Sequence, residues 1–309
     1  MQLFVRSLCE TSFLELQRRE SPIAFIGVPL DESSSYRSGA RWGPEAVRRA
    51  SRSLELCFDG DDECVLERVG IDDLGDVVLA PGDLRESIGR IERVMVFAYR
   101  ELRKRFVVVV GGEHTITLGA VRGVKSSIGS PCLVVMDAHL DLRSEYLGSS
   151  LNHATVMKRV VDEGTIDRVV WIGVRAYSRD ELEELKRLEL QGIAYVLWRR
   201  ECLEHTPFFV ASRAVSFLKG CDCVYVSLDM DVIDPSYAPG VQTPEPLGLE
   251  PQWIINVLRR IVEYTNVVGL DIVELSPPND PGEQTAFLAS RIIVEVLKNV
   301  VKKMEGARW

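Results

Sequence analysis

The chain contains four histidines, His114, His139, His153 and His205. Two of them, His114 and His139, stand just beyond the ends of apolar, β-branched runs, among carboxylates, and a third such run ends in carboxylates alone. FVVVV runs into GGEHT and reaches His114. CLVVM runs into DAHLD, with Asp137, His139 and Asp141. CVYVS runs into LDMDVIDP, with Asp229, Asp231 and Asp234. In extended backbone, alternate residues point to one side. Asp137, His139 and Asp141 are therefore expected to share a face, as are Asp229 and Asp231. Carboxylates packed this closely repel, and some would stay protonated unless cations joined them. A pair of divalent metals resolves the conflict. Mixed imidazole and carboxylate ligands without thiolate point to manganese ahead of iron, cobalt or zinc. Asp234, just before Pro235, reads instead as a turn former whose side chain bonds backbone.

These groups need a scaffold that brings strand ends together. Strands are expected at 23–28, 65–70, 106–110, 132–136, 168–173, 193–197, 223–228 and 267–273. Near-continuous apolar strands suit a parallel sheet covered on both faces. Helical spacing recurs between them. Residues 84–104 carry Leu84, Ile88, Ile91, Val94, Met95 and Ala98 at steps of three and four, and 252–264 and 285–303 behave similarly. Pro44 opens PEAVRRAS as a first-turn proline. The alternation implies an α/β protein, a three-layer α/β/α sandwich with a central, mainly parallel sheet of about eight strands, in one domain over residues 1–309. Segments 234–248 and 276–283 are rich in Pro or Gly and read as loops. In open parallel sheets, sites form outside the carboxyl ends of the strands, where all the clusters fall.

The net charge is −9 and no basic tract stands out, which disfavours nucleic acid as a partner and suits a small cationic one. No apolar run approaches the ~20 residues that cross a bilayer. The start, MQLFVRSLCETSFLEL, has no basic region followed by an apolar core and a small-residue cleavage site, so a cytoplasmic location is expected. The seven cysteines include no CxxC pair. Cys221 and Cys223 read as buried strand thiols rather than zinc ligands. The basic residues are mostly arginine, which suits a heat-adapted or GC-rich source, and heat adaptation would permit a disulfide.

GGEHT at 111–115, DAHLD at 137–141 and SLDMDVIDPSYAPG at 227–240 closely resemble the signature segments of the ureohydrolases, the arginase/agmatinase family. FIGVPLDESSSYRSGARWGPEAVRRAS at 25–51, TPEPLGL at 243–249 and DIVELSPPND at 271–280 resemble the family's other segments. The resemblance implies two Mn2+ per chain, one held by His114, Asp137, Asp141 and Asp229 and the other by Asp137, His139, Asp229 and Asp231. It implies that Glu274 binds a guanidinium group, and that His153, in NHAT, shuttles protons or positions substrate. A hydroxide bridging the metals would attack the guanidinium carbon, since coordination lowers the pKa of water steeply. Asp141 would aim it and, with His153, return protons to the departing amine. The structural alternative for His153 is packing on the helix after Asn152. His205, in ECLEHTP, reads as a surface residue.

Arginases carry an Asn two residues beyond the DAHxD segment and an SGNxHG-type stretch that grips the amino-acid end of arginine. This chain has Arg143 and DLRSEYLGSSLNHAT, which resembles agmatinases of archaeal type. Agmatine, giving putrescine and urea, is therefore the expected substrate. Arg143 is expected to pair with Glu145 or another carboxylate; contact with an anionic substrate such as guanidinobutyrate is the alternative. Glu145 would otherwise meet a distal ammonium, and aminopropylagmatine or arginine would suit the same chemistry. Thr115 stands where Ser is common, and GVRA at 173–176 replaces the usual GIRS, a departure that bears on substrate rather than metal. The family also implies a homo-oligomer, trimer or hexamer. The opposing reading is a non-catalytic member stabilised by metal.

Overall fold

The computed structural model describes residues 5–6, 12–57 and 64–306. Its strands are β1 (Val5–Arg6), β2 (Ile23–Val28), β3 (Asp72–Val77), β4 (Phe106–Gly111), β5 (Cys132–Met136), β6 (Val169–Ile172), β7 (Ala194–Leu197), β8 (Val224–Asp229) and β9 (Val267–Val273). They form one sheet in the order β1-β3-β2-β4-β9-β8-β5-β6-β7. Every pairing is parallel except β1 on β3. Strand β4 shows why the sheet is buried on both sides. All six of its residues are buried. Phe106, Val108 and Val110 enter one core, and Val107 and Val109 enter the other. The period-2 geometry of a strand thus feeds two helical layers from one apolar run.

The helices are α1 (Gly43–Ser51), α2 (Val65–Val69), α3 (Leu84–Val96), α4 (Ile116–Ser127), α5 (Val156–Asp162), α6 (Arg179–Leu190), α7 (Arg199–Glu204), α8 (Pro207–Phe217), α9 (Pro251–Tyr264) and α10 (Gln284–Met304). α1, α2, α8, α9 and α10 bury their apolar stripes on one face, and α3, α4, α5 and α6 on the other. This is the three-layer α/β/α arrangement expected from the sequence.

One expected strand is wrong. Residues 65–69 form α2, not a strand: Val65 and Leu66 pack into the core while Glu67 and Arg68, which follow, stay outside. The strand lies just beyond, at β3, whose sequence DDLGDV has little apolar signal. Its acids are matched instead by buried cations. The fully buried Arg48 on α1 meets Asp73 at 2.8 Å and Asp76 at 2.7 Å, and Lys104 meets Asp72 at 2.7 Å. A buried charge needs such a partner, so β3 is recognisable only once α1 is in place.

The cysteine expectation is also revised. Cys132, at the start of β5, is disulfide-bonded to Cys221, before β8, and Cys57 is bonded to Cys64. Cys223 and Cys202 are the buried free thiols. Cys9 lies outside the described residues.

Candidate metal centre

The four central strands β4, β9, β8 and β5 are neighbours, and each hands the chain to a site loop at its carboxyl end. The loop after β4 is held by its glycines and by the chain beyond β2. Gly112 N–H donates to Val28 O, Glu113 N–H to Leu30 O, and Glu274 N–H to Gly112 O. A Cβ on Gly112 would sit 1.6 Å from Leu30 O, so no side chain fits there. This close approach fixes His114 against Glu274.

His114 Nδ1 lies 3.0 Å from Asp141 Oδ2, 3.2 Å from Asp137 Oδ2 and 3.5 Å from Asp229 Oδ2. His139 Nδ1 lies 2.9 Å from Asp231 Oδ2 and 3.6 Å from Asp137 Oδ1. The ligand atoms of His114, Asp137 and Asp141 form one tight group, and those of Asp137, His139 and Asp231 another; Asp137 belongs to both. All six expected ligands therefore come together. The local geometry differs from the extended backbone expected. Asp141 is left-handed (φ 53°), and Asp231 sits in a 3-10 turn. Turning hydrogen bonds replace strand alternation: His139 N–H donates to Asp137 Oδ1 at 2.6 Å, and Asp231 N–H to Asp229 Oδ1 at 2.8 Å.

The residues fit cations. Asp137 Oδ2 and His114 Nδ1 are buried with no well-directed hydrogen bond. No Lys or Arg forms an ion pair with the cluster among the described residues; Arg175 reaches only the Asp231 carbonyl, at 2.6 Å. Burial, then the charge of Asp137, pushes Asp141 up to about 7. Burial and neighbouring carboxylates raise Asp229 and Glu274 as well. Burial opposes a charge on His114, yet Asp137 and Asp141 raise its pKa well above 6.5, so a proton stands where a cation would bind. The same imidazoles, against the effect of burial, hold Asp137 below the usual carboxylate range.

The far side of His114 decides which of its nitrogens is left to face the carboxylates. Ser227 has one hydroxyl hydrogen and donates it to Asp271 Oδ1 at 2.5 Å; Thr117 donates to Asp271 Oδ2 at 2.9 Å. Ser227 Oγ must therefore accept from His114 Nε2–H, 3.0 Å away. That leaves Nδ1 unprotonated toward the carboxylates once a metal is bound.

Glu274 is buried with φ 66° and accepts from His114 N–H at 2.7 Å. It lines a cavity of about 330 Å³ with His139, Asp141, Asp229, Asp231 and His153. Tyr146, Tyr177, Arg143 and Glu181 also line it. His153 opens a short 3-10 turn after Asn152, which makes a capping box with Thr155, and its side chain lines the cavity. Arg143 lies 3.6 Å from Glu181 and 5.2 Å from the Tyr146 ring centre. Its carboxylate neighbour is thus Glu181, whereas Glu145 is exposed. Asp234 is a turn former, accepting from Ser236 N–H and Gly248 N–H. His205 is exposed and stacks near Phe209.

Several residues of the site were not singled out from the sequence. Glu113 and Ser227 lie inside quoted motifs, but their partners are distant in the chain. Asp271 had a signal: a lone acid in the apolar strand VVGLDIV demands buried donors. Arg175, in GVRA, clamps the carbonyls of Asp231, Glu245 and Pro246 and so ties two site loops together.

A parallel α/β sandwich carrying a two-part imidazole–carboxylate cluster at its strand ends defines the class: an α/β protein with a centre built for a pair of metal ions. The arginase family model matches residues 21–298. The mitochondrial guanidino acid hydrolase of Homo sapiens is 35% identical over 294 residues, 93% of this chain and 81% of that protein. The solved proclavaminate amidino hydrolase of Streptomyces clavuligerus superposes with a TM-score of 0.86 at 30% identity, covering 96% of this chain and 98% of that one. The agmatine ureohydrolase of Thermoplasma volcanium gives 0.84 at 30% identity, with 98% of each chain covered. The chain belongs to the arginase family.

Proposed function

We propose that this hydrolase cleaves the guanidino C–N bond of agmatine, giving urea and putrescine, with Mn2+ in both halves of its centre. The observation that carries the guanidino reading is Glu274: a buried carboxylate, anchored on the His114 loop, lining the same cavity as the ligand cluster. Two carboxylate oxygens match the paired N–H donors of a planar guanidinium, and the cation would in turn keep Glu274 ionised despite its raised pKa.

His114, Asp137, Asp141 and Asp229 would hold one metal, and Asp137, His139, Asp229 and Asp231 the other. When bound, the metals make water a competent nucleophile at neutral pH. The protein's own groups do the rest. Glu274 orients the guanidinium carbon toward the cluster. Hydrolysis carries both protons of water to the leaving amine nitrogen, which changes from NH to NH3+. Asp141 and His153 stand on the cavity wall to carry them. Burial lowers the His153 pKa, which favours the neutral imidazole, the form able to accept a proton.

Agmatine is favoured because Arg143 is occupied by Glu181 of α6 and by Tyr146 of its own loop, which removes the need for a substrate carboxylate. The second reading is a guanidino acid such as guanidinobutyrate, supported by the presence of Arg143 in the cavity lining and by the human and Streptomyces relatives. A urea-release panel of agmatine, aminopropylagmatine, guanidinobutyrate and arginine separates them. The highest kcat/KM on agmatine supports the proposal; a hundredfold preference for guanidinobutyrate would replace it with the second reading. No helix among the described residues is long and apolar enough to cross a membrane. The same proposal takes the chain as one ureohydrolase domain, in the cytoplasm, supplying putrescine for polyamine synthesis as a trimer or hexamer; light scattering on purified protein tests the assembly.

A further inference from the structure

Glu113, next in sequence to His114, is fully buried. Its carboxylate receives four donors. Oε2 accepts from Glu32 N–H and Ser33 N–H, both at 2.7 Å, and Oε1 accepts from the hydroxyls of Ser33 at 2.6 Å and Thr115 at 2.7 Å. Four donors fill the lone-pair directions of an ionised carboxylate. The single hydroxyl hydrogen of Ser33 is therefore committed to Glu113.

His153 meets this arrangement at two atoms. Its backbone N–H donates to Ser33 Oγ at 3.1 Å, and its Nδ1 lies 3.1 Å from the same oxygen. With its only hydrogen spent, Ser33 Oγ can act only as an acceptor toward the imidazole. The proton of neutral His153 then resides on Nδ1. Nε2 is left as an acceptor, reached by the Ser35 hydroxyl at 3.3 Å, in the cavity that His153 and Ser35 both line. Tyr146 packs edge-on against the ring at 5.8 Å and limits its reorientation.

We propose that Glu113 and Ser33 are positioning residues that fix His153 in the Nδ1–H tautomer, so that it meets the substrate as a proton acceptor at Nε2. The proposal rests on the guanidino-hydrolase reading for its chemical consequence, though not for the tautomer. An imidazole with Nε2 bare accepts a hydrogen bond from a substrate N–H or takes one of the two protons that leave water. It gives that proton from the same Nε2 to the amine nitrogen as the C–N bond breaks, and returns to its starting tautomer. An Nε2–H tautomer could not begin this way, because its cavity-facing nitrogen would already be a donor.

The test is a long-range 1H–15N spectrum of the full chain labelled with 15N-histidine, metal-free and loaded with diamagnetic Zn2+, with His153 assigned from its loss in His153→Asn. The expected result is protonated Nδ1 and unprotonated Nε2 in the wild type. Ser33→Ala should release the preference toward Nε2–H and lower kcat by roughly 10- to 100-fold with little change in KM, within the usual range for a mispositioned acid–base group. Ser33→Thr, which restores a hydroxyl, should recover both the tautomer and most of the rate. A wild-type Nε2–H tautomer overturns the proposal, and so does a folded Ser33→Ala protein with an unchanged spectrum. If Ser33→Ala does not fold, the wild-type spectrum and Ser33→Thr still decide. Urea release with the wrong tautomer defeats this inference alone; the right tautomer with no hydrolysis of any guanidino compound defeats the functional reading alone.

Discussion

The backbone N–H of His114 donates a 2.7 Å hydrogen bond to Oε1 of Glu274. The loop that carries the candidate ligand His114 and the carboxylate proposed for the guanidinium are therefore joined directly. Glu274→Gln keeps the acceptor for His114 but removes the negative charge and turns an N–H2 toward the substrate. Charge-assisted hydrogen bonds contribute about 1.5–3 kcal/mol each, so kcat/KM should fall by roughly 100-fold or more. Metal content should not change. Steady-state kinetics with elemental analysis checks this, and a variant with wild-type kcat/KM would remove Glu274 from substrate binding.

The two ligand groups share Asp137 but not their histidines. His114→Asn and His139→Asn should each cost the chain mainly one metal, while Asp137→Asn should weaken both. Chelation should abolish hydrolysis, and Mn2+ should restore it. Plasma emission on the dialysed proteins counts the ions. A wild-type content of one zinc per chain would contradict a two-manganese centre.

Metal-free protein should lose stability as pH rises. Asp141 is held up to about 7 by burial and the charge of Asp137, and burial raises Asp229 and Glu274 above their ordinary values. A carboxyl that binds its proton more tightly when folded stabilises the fold fully only below its unfolded pKa of about 4, and loses that contribution as pH climbs through the folded value. His114 and His139, raised by their carboxylates against burial, lose theirs at higher pH still. Asp137 has the opposite sign but matters only below about 4. Scanning calorimetry from pH 5 to 8 should show the metal-free Tm falling by roughly 5 °C or more, with a much flatter profile after Mn2+ loading. A metal-free Tm that rises across this window would refute the electrostatic account of the centre.

The Cys132–Cys221 disulfide closes a separation of 89 residues and ties the entries of two adjacent strands. Cys221→Ala should lower unfolding free energy by about 2–4 kcal/mol, chiefly by freeing the unfolded chain. Urea midpoints under oxidising conditions measure this. An unchanged midpoint would mean that the bond does not form in solution.

The six candidate ligands, which the structure brings together, were legible because their types are rare and their places, just past apolar runs, are visible along the chain. Seven of the eight expected strands were legible for the same reason: apolar residues on both faces leave an unbroken run. β3 was not, since Asp72, Asp73 and Asp76 become acceptable inside only through Lys104 and Arg48. Glu113 and Ser227 were equally silent, because each acts through a partner 80 or 113 positions away; Asp271, a lone acid in an apolar strand, signalled buried donors without naming them. The left-handed turn at Asp141 also lay beyond the pattern: alternation assembled the right residues but not the backbone that aims them.

Each ligand group draws on more than one strand: His114 with Asp137 and Asp141, and Asp137 with His139 and Asp231. Neither can exist on a chain whose central strands have not yet docked. A cation added to a refolding solution should therefore arrive late and act as a latch rather than a nucleus, leaving the rate of collapse alone and slowing the reverse reaction. Bound metal then reports on assembly: an occupied centre certifies that β4, β5 and β8 have found their order, and a metal-starved cell would hold chains that are folded but easier to undo.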